Sequence, residues 1–86
     1  MDKLRKKIDS IDEKIVKLLD ERMGLAFEIG KIKKEKARGV FDASREDEVF
    51  SKLKAISKEC ISDDEVKELY EHIISISREH GKRGLS

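Results

Sequence analysis

From Leu4 the apolar positions fall at Leu4, Ile8, Ile11, Ile15 and Leu18, then at Leu25, Ile29 and Ile32. Steps of four and three alternate, which is the spacing of a heptad seam along one side of a helix. The seam predicts one helix from about Lys3 to about Lys36. Gly24 and Gly30 each weaken its interior by about 1 kcal/mol relative to alanine, and the periodicity on both sides carries the helix through them. At 1.5 Å per residue its length is about 50 Å, whereas a compact chain of this size has a diameter of about 30 Å. The helix overhangs its own domain with its apolar face still running. Something has to cover that face, a second copy is the simplest candidate, and a homodimer is expected.

Residues 37–41, Ala-Arg-Gly-Val-Phe, break the pattern, with Gly39 as the expected turn. Asp42 or Ser44 can cap a second helix, whose stripe reads Val49, Phe50, Leu53 and Ile56. The pattern stops again around Ile61. Ser62-Asp63-Asp64-Glu65 then reads as a capping box, serine first and glutamate three later. The third helix has the stripe Val66, Leu69, Tyr70, Ile73 and Ile74, with Ser77 one turn on, and Gly81 and Gly84 are expected to end it. The expected fold class is all-α, one long helix and two shorter ones, in a single domain over residues 1–86.

Composition supports this and removes several functions. Eighty-six residues suffice for one domain near the size where a single core becomes marginal. The chain is 45% charged and 5% aromatic, without Pro or Trp, which suits long helices better than a β-sandwich. Twenty basic residues against 19 acidic ones leave a net charge of +1, so no nucleic-acid partner is expected. The two signs alternate, as on solvated helix faces. Cys60 is alone, cannot form an intrachain disulfide and is expected to be a small, partly buried hydrophobe. No apolar run reaches the roughly 20 residues that cross a bilayer, and the N-terminus lacks the apolar centre of a secretory signal. The expected location is the cytoplasm, with no membrane partner. His72 and His80 have no partner at metal-ligand spacing, and no glycine-rich phosphate loop follows a strand. Neither a metal nor a cofactor is expected.

Arg22 stands on the seam where Leu or Ile would pack, and an unpaired buried guanidinium is costly. Either it pairs with a carboxylate of a neighbouring helix or snorkels outward, or it waits for a ligand anion in a pocket of the bundle. Lys33 lies eleven residues later, within about 20° of the same face, so two cations with Ile29 between them would line one apolar groove. Lys14, Lys17, Lys31 and Lys34 fall off that line and read as solvated charges. Arg5 precedes Arg22 by 17 residues, about 25 Å along the axis. It cannot serve the same pocket on its own helix, although in a dimer it could serve the partner's. Arg45 and Glu46, one turn before Val49 and Phe50, read by themselves as a surface pair.

Taken together, LRKKIDSIDEKIVKLLDERMGLAFEIGKIK, VFDASREDEVFSKL and LYEHIISISR resemble the all-helical class of chorismate mutases over nearly the whole chain. The specificity lies in the combined spacing of Arg5, Arg22, Lys33 and the D-x-x-R-E of Asp42 to Glu46. The resemblance implies an interlocked homodimer of three-helix chains, with two sites that share residues across the interface. It implies an isomerase that rearranges chorismate to prephenate in aromatic amino-acid biosynthesis, without a cofactor. Arg22 and Arg45 would hold the substrate's carboxylates, joined by Arg5 of the other chain. Lys33 would contact the side-chain carboxylate and the ether oxygen. Glu46, with the backbone at Asp42, would bind the ring hydroxyl, and Ser77 would hydrogen-bond a carboxylate.

The chain departs from the family at one point. A Gln or Glu usually stands one turn after the serine and hydrogen-bonds the ether oxygen, and here that position is Gly81. His80 or Lys82 could reach in instead. Weaker activity is expected, raised by Gly81→Gln. Two rivals share the scaffold: an isochorismate pyruvate-lyase, and a non-catalytic helical dimerisation or regulatory module. The longer loop with VFDASRE looks more like the mutases.

Overall fold

The computed structural model describes residues 1–35 and 42–86, and the turn expected at residues 37–41, Gly39 included, lies outside them. Among the described residues three helices are formed: α1 (Asp2–Glu35), α2 (Ala43–Lys54) and α3 (Asp63–Leu85). The heptad seam carries α1 unbroken through Gly24 and Gly30.

Both later helices start at side-chain caps. Asp42 has extended backbone (φ −136°), and its carboxylate accepts the N–H of Arg45 at 3.0 Å. At α3 the full capping box is present. Ser62 Oγ accepts the N–H of Glu65 at 3.1 Å, and Glu65 Oε1 accepts the N–H of Ser62 at 3.0 Å. Two otherwise orphaned amide donors are thus satisfied reciprocally.

Helix α2 is shorter than its stripe suggested. Ile56 lies beyond its end and is exposed, because the chain tightens there and the Ile56 N–H reaches the Leu53 carbonyl at 3.1 Å. Lys58 then closes the junction. Its ammonium donates to the Ile56 carbonyl at 2.8 Å and pairs with Asp63 at 2.6 Å, joining the end of α2 to the start of α3. Cys60 lies in this same connection and is exposed rather than partly buried, since the segment runs over the surface instead of against a core.

Gly81 and Gly84 do not end α3, which continues to Leu85. At Gly84, as at Gly30 of α1, the missing side chain permits close approach. A Cβ on Gly30 would stand 2.1 Å from the Gly81 carbonyl oxygen, and one on Gly84 would stand 2.2 Å from that of Phe27. Backbone meets backbone at this crossing, which a side chain on either glycine would hold open. The contacts Met23–Ser77, Gly30–Gly81 and Lys34–Ser86 advance together, so α3 runs in the same sense as α1. Among the described residues, Met23 and Ile74 are the buried large apolar side chains, one on each of these helices.

Helix α2 packs on α3 and stands off α1. The chain measures 52 × 23 × 15 Å with a radius of gyration of 15.5 Å. A compact chain of this length would have about 12 Å. The difference is the overhang of α1, where Leu4, Ile8, Ile11, Ile15 and Leu18 are 47–64% exposed.

Candidate active site

The space between α1 and α2, floored by α3, is a cavity of about 290 Å³. Leu25, Ile29, Val49 and Ile74 give it apolar walls. Arg22 and Lys33 enter from α1, Asp42, Arg45 and Glu46 from the start of α2, and Ser77 from α3. Six of the seven residues expected at a site are therefore brought together. Arg5 is not among them. It is exposed in the first turns of α1, about 25 Å along the axis from Arg22.

Arg22 is half-buried and its guanidinium is held by α3. It donates to Ser77 Oγ, and it lies over the Tyr70 ring at 5.9 Å from the centroid, a cation–π distance. Ser77 in turn donates to the Ile73 carbonyl at 2.9 Å, one turn back. The serine hydroxyl is thus fixed by its own helix and fixes the arginine. These two contacts of Arg22 are a hydroxyl and an aromatic ring rather than a carboxylate, so they position its charge without neutralising it.

Arg45 and Glu46 do not pair with each other. Arg45, in the cavity wall, pairs with Glu48 of its own helix at 3.0 Å. Glu46 turns the other way, into a two-pronged bond with Arg78 of α3. Arg78 Nε donates to Oε2 at 2.8 Å and its terminal nitrogen donates to Oε1. This bond raises the Arg78 pKa above its ordinary value. Arg78 also lines the cavity, whereas His80 and Lys82 do not. Lys82 pairs instead with Glu79 at 3.4 Å. Helical phase placed Ser77 on the inner stripe and left the next residue off it, so Arg78 was missed. The one signal available was a long cation beside the serine.

Four cations (Arg22, Lys33, Arg45, Arg78) and two carboxylates (Asp42, Glu46) leave this small, largely apolar cavity with an excess of positive charge. It suits a compact molecule carrying more than one negative charge and a polar group for Glu46. The fold and the site together define an all-helical domain with a cavity suited to small organic anions.

Comparison with known proteins agrees. The family model for chorismate mutase type II matches residues 4–82, and the chain belongs to that family. The bifunctional chorismate mutase/prephenate dehydratase of Aquifex aeolicus is 46% identical over 56 residues, 65% of this chain and 16% of that protein. The chorismate mutase of Methanocaldococcus jannaschii is 39% identical over 56 residues, 65% of this chain and 57% of that protein. The matched stretch thus spans about a sixth and just over half of these relatives. Among solved structures, chorismate mutase (form II) from Thermus thermophilus superposes with a TM-score of 0.89 at 31% identity, covering 93% of this chain and 91% of that one. Chorismate mutase from Helicobacter pylori in complex with prephenate gives 0.88 at 27% identity, covering 98% and 91%.

Proposed function

We propose that this chain rearranges chorismate to prephenate, as an isomerase of aromatic amino-acid biosynthesis in the cytoplasm. The observation that carries the reading is the convergence of Arg22, Lys33 and Arg45 on one apolar cavity in a chain of this family. The reaction breaks the ether C–O bond as a new C–C bond forms, and no proton need move. The protein has to hold a flexible dianion folded with its reacting ends together, and to stabilise negative charge growing on the ether oxygen. Arginines on rigid helices suit the first task. Lys33, on the apolar wall beside Ile29, suits the second. Neither task calls on a cofactor.

The working form is a homodimer. The apolar side chains from Leu4 to Leu18 are about half exposed or more, and a second α1 is the surface that matches such a seam. Pairing would also carry Arg5 of a second copy to the cavity that it cannot reach on its own chain. No helix among the described residues is long and apolar enough to cross a membrane.

The test is chorismate consumption by the purified protein, with prephenate identified as product and Arg22→Ala as control. Turnover lost in that variant supports the reading. Pyruvate released from isochorismate, with chorismate untouched, would replace it by the lyase reaction. No turnover and no binding by a folded dimer would leave a helical dimerisation module.

A further inference from the structure

The expected roles leave Arg78 without a task, yet it stands in the cavity wall. Its bond with Glu46 ties α3 to α2, whose backbone among the described residues approaches α3 but not α1. Glu46 therefore keeps its place relative to the α1 cations partly through this strut. The pairing also meets an electrostatic need. A carboxylate in the wall of a pocket for a dianion repels its ligand, and at these distances like charges cost affinity. A guanidinium bound across both carboxylate oxygens offsets that charge and leaves lone pairs on each oxygen free to accept from a hydroxyl.

We propose that Arg78 is a positioning residue of this site: it fixes the Glu46 carboxylate toward the cavity and offsets its charge, so that a dianionic substrate meets a set acceptor for its hydroxyl. The inference rests on the reading of the cavity as a chorismate site. A merely structural ion pair of this exposure, with side chains 40% and 20% exposed, would contribute little to stability and nothing to substrate affinity.

The experiment is a double-mutant cycle on kcat and KM for chorismate, using the wild type, Arg78→Met, Glu46→Gln and the double variant. Circular dichroism confirms that each is folded. Arg78→Met is expected to raise KM roughly tenfold or more, with a smaller fall in kcat. In the Glu46→Gln background the same change should cost less than about threefold, because the charge it offset has gone. Arg78→Lys, which keeps the charge and loses the fork, should recover only part of the affinity, and it carries the test if Arg78→Met does not fold. An equal loss in both backgrounds, or no loss in the single variant, overturns the proposal. If the wild type binds chorismate without converting it, the reaction reading fails, and the cycle is read on calorimetric affinity with the same criteria. No affinity for chorismate overturns both.

Discussion

Replacing Gly30 by alanine adds a carbon that would stand 2.1 Å from the Gly81 carbonyl oxygen, 2.9 Å from its carbonyl carbon and 3.1 Å from its Cα. All three neighbours are backbone atoms of another helix, so no rotamer change relieves the overlap. The helices would have to part by about 1 Å, and a gap of that size forfeits a quarter to a half of each contact along the crossing. Overpacking of this kind costs about 1–3 kcal/mol, against about 1 kcal/mol gained when alanine replaces glycine within a helix. Gly24 supplies the internal control. It lies in the same helix, and a Cβ there meets nothing within 4 Å. Gly24→Ala should therefore show the gain alone, and Gly30→Ala the gain less the clash. Thermal melts followed by circular dichroism read the difference at about 4–8 °C per kcal/mol for a domain of this size. The expected order is Gly24→Ala above the wild type and Gly30→Ala below it. Gly30 and Gly81 also line the cavity, so KM for chorismate should rise with the loss of stability. If Gly30→Ala melted as high as Gly24→Ala, the close crossing of α1 and α3 would be wrong.

Three further outcomes are expected. Gly81→Gln should raise kcat, since a donor aimed at a developing oxyanion is worth about 2.7–4 kcal/mol; unchanged turnover in a folded variant would place residue 81 away from the ether oxygen. Lys58→Met should lower the melting temperature slightly, because the Ile56 carbonyl and Asp63 exchange their ammonium partner for water; an unchanged melt would show the junction closed by backbone alone. Acid should weaken the fold in a stated direction. The pKa of Glu65 is lowered by the hydrogen bonds from Ser62, that of Asp63 by the bond from Lys58, and that of Glu48 by Lys52 and then Arg45. Groups with lowered folded pKa values contribute stability above their ordinary values, 4.5 for the glutamates and 3.8 for the aspartate, and lose it as pH falls through the folded ones. The melting temperature should therefore fall on acidification through that range, and a rise would contradict the sign.

The parts of this molecule legible in its sequence are those set by local chemistry. Asp42 and the Ser62–Glu65 box cap helices with groups three residues away, and α1 announces itself by phase alone. Arg22 and Lys33 were legible too, because a cation on an apolar seam is a local contradiction that only an anion or a partner resolves. What stayed hidden depends on the neighbouring helix. Gly81 and Gly84 read as helix ends, since glycine does that as well as it permits close crossing, and at Gly84 only the Phe27 backbone opposite decides between the two. Arg78 was hidden for the same reason, because its partner Glu46 lies 32 residues away on another helix. The pairing of Arg45 with Glu48 rather than Glu46 follows from that choice.

The unbroken α1 has a consequence for how the gene can change. One helix carries the seam, the two cations and the glycine of the crossing, all held in one angular register. Inserting a single residue between Arg22 and Gly30 would turn everything after it by about 100° and advance it by 1.5 Å. That one event would swing Lys33 off the cavity and Gly30 off Gly81 together, and no later substitution in α1 could restore both. Insertions and deletions should therefore be tolerated in the connection between Lys54 and Asp63, which carries no cavity residue, and rejected throughout the second half of α1. Library selection with random single-codon insertions would read this directly, as an empty stretch in the survivors from residue 22 to residue 30.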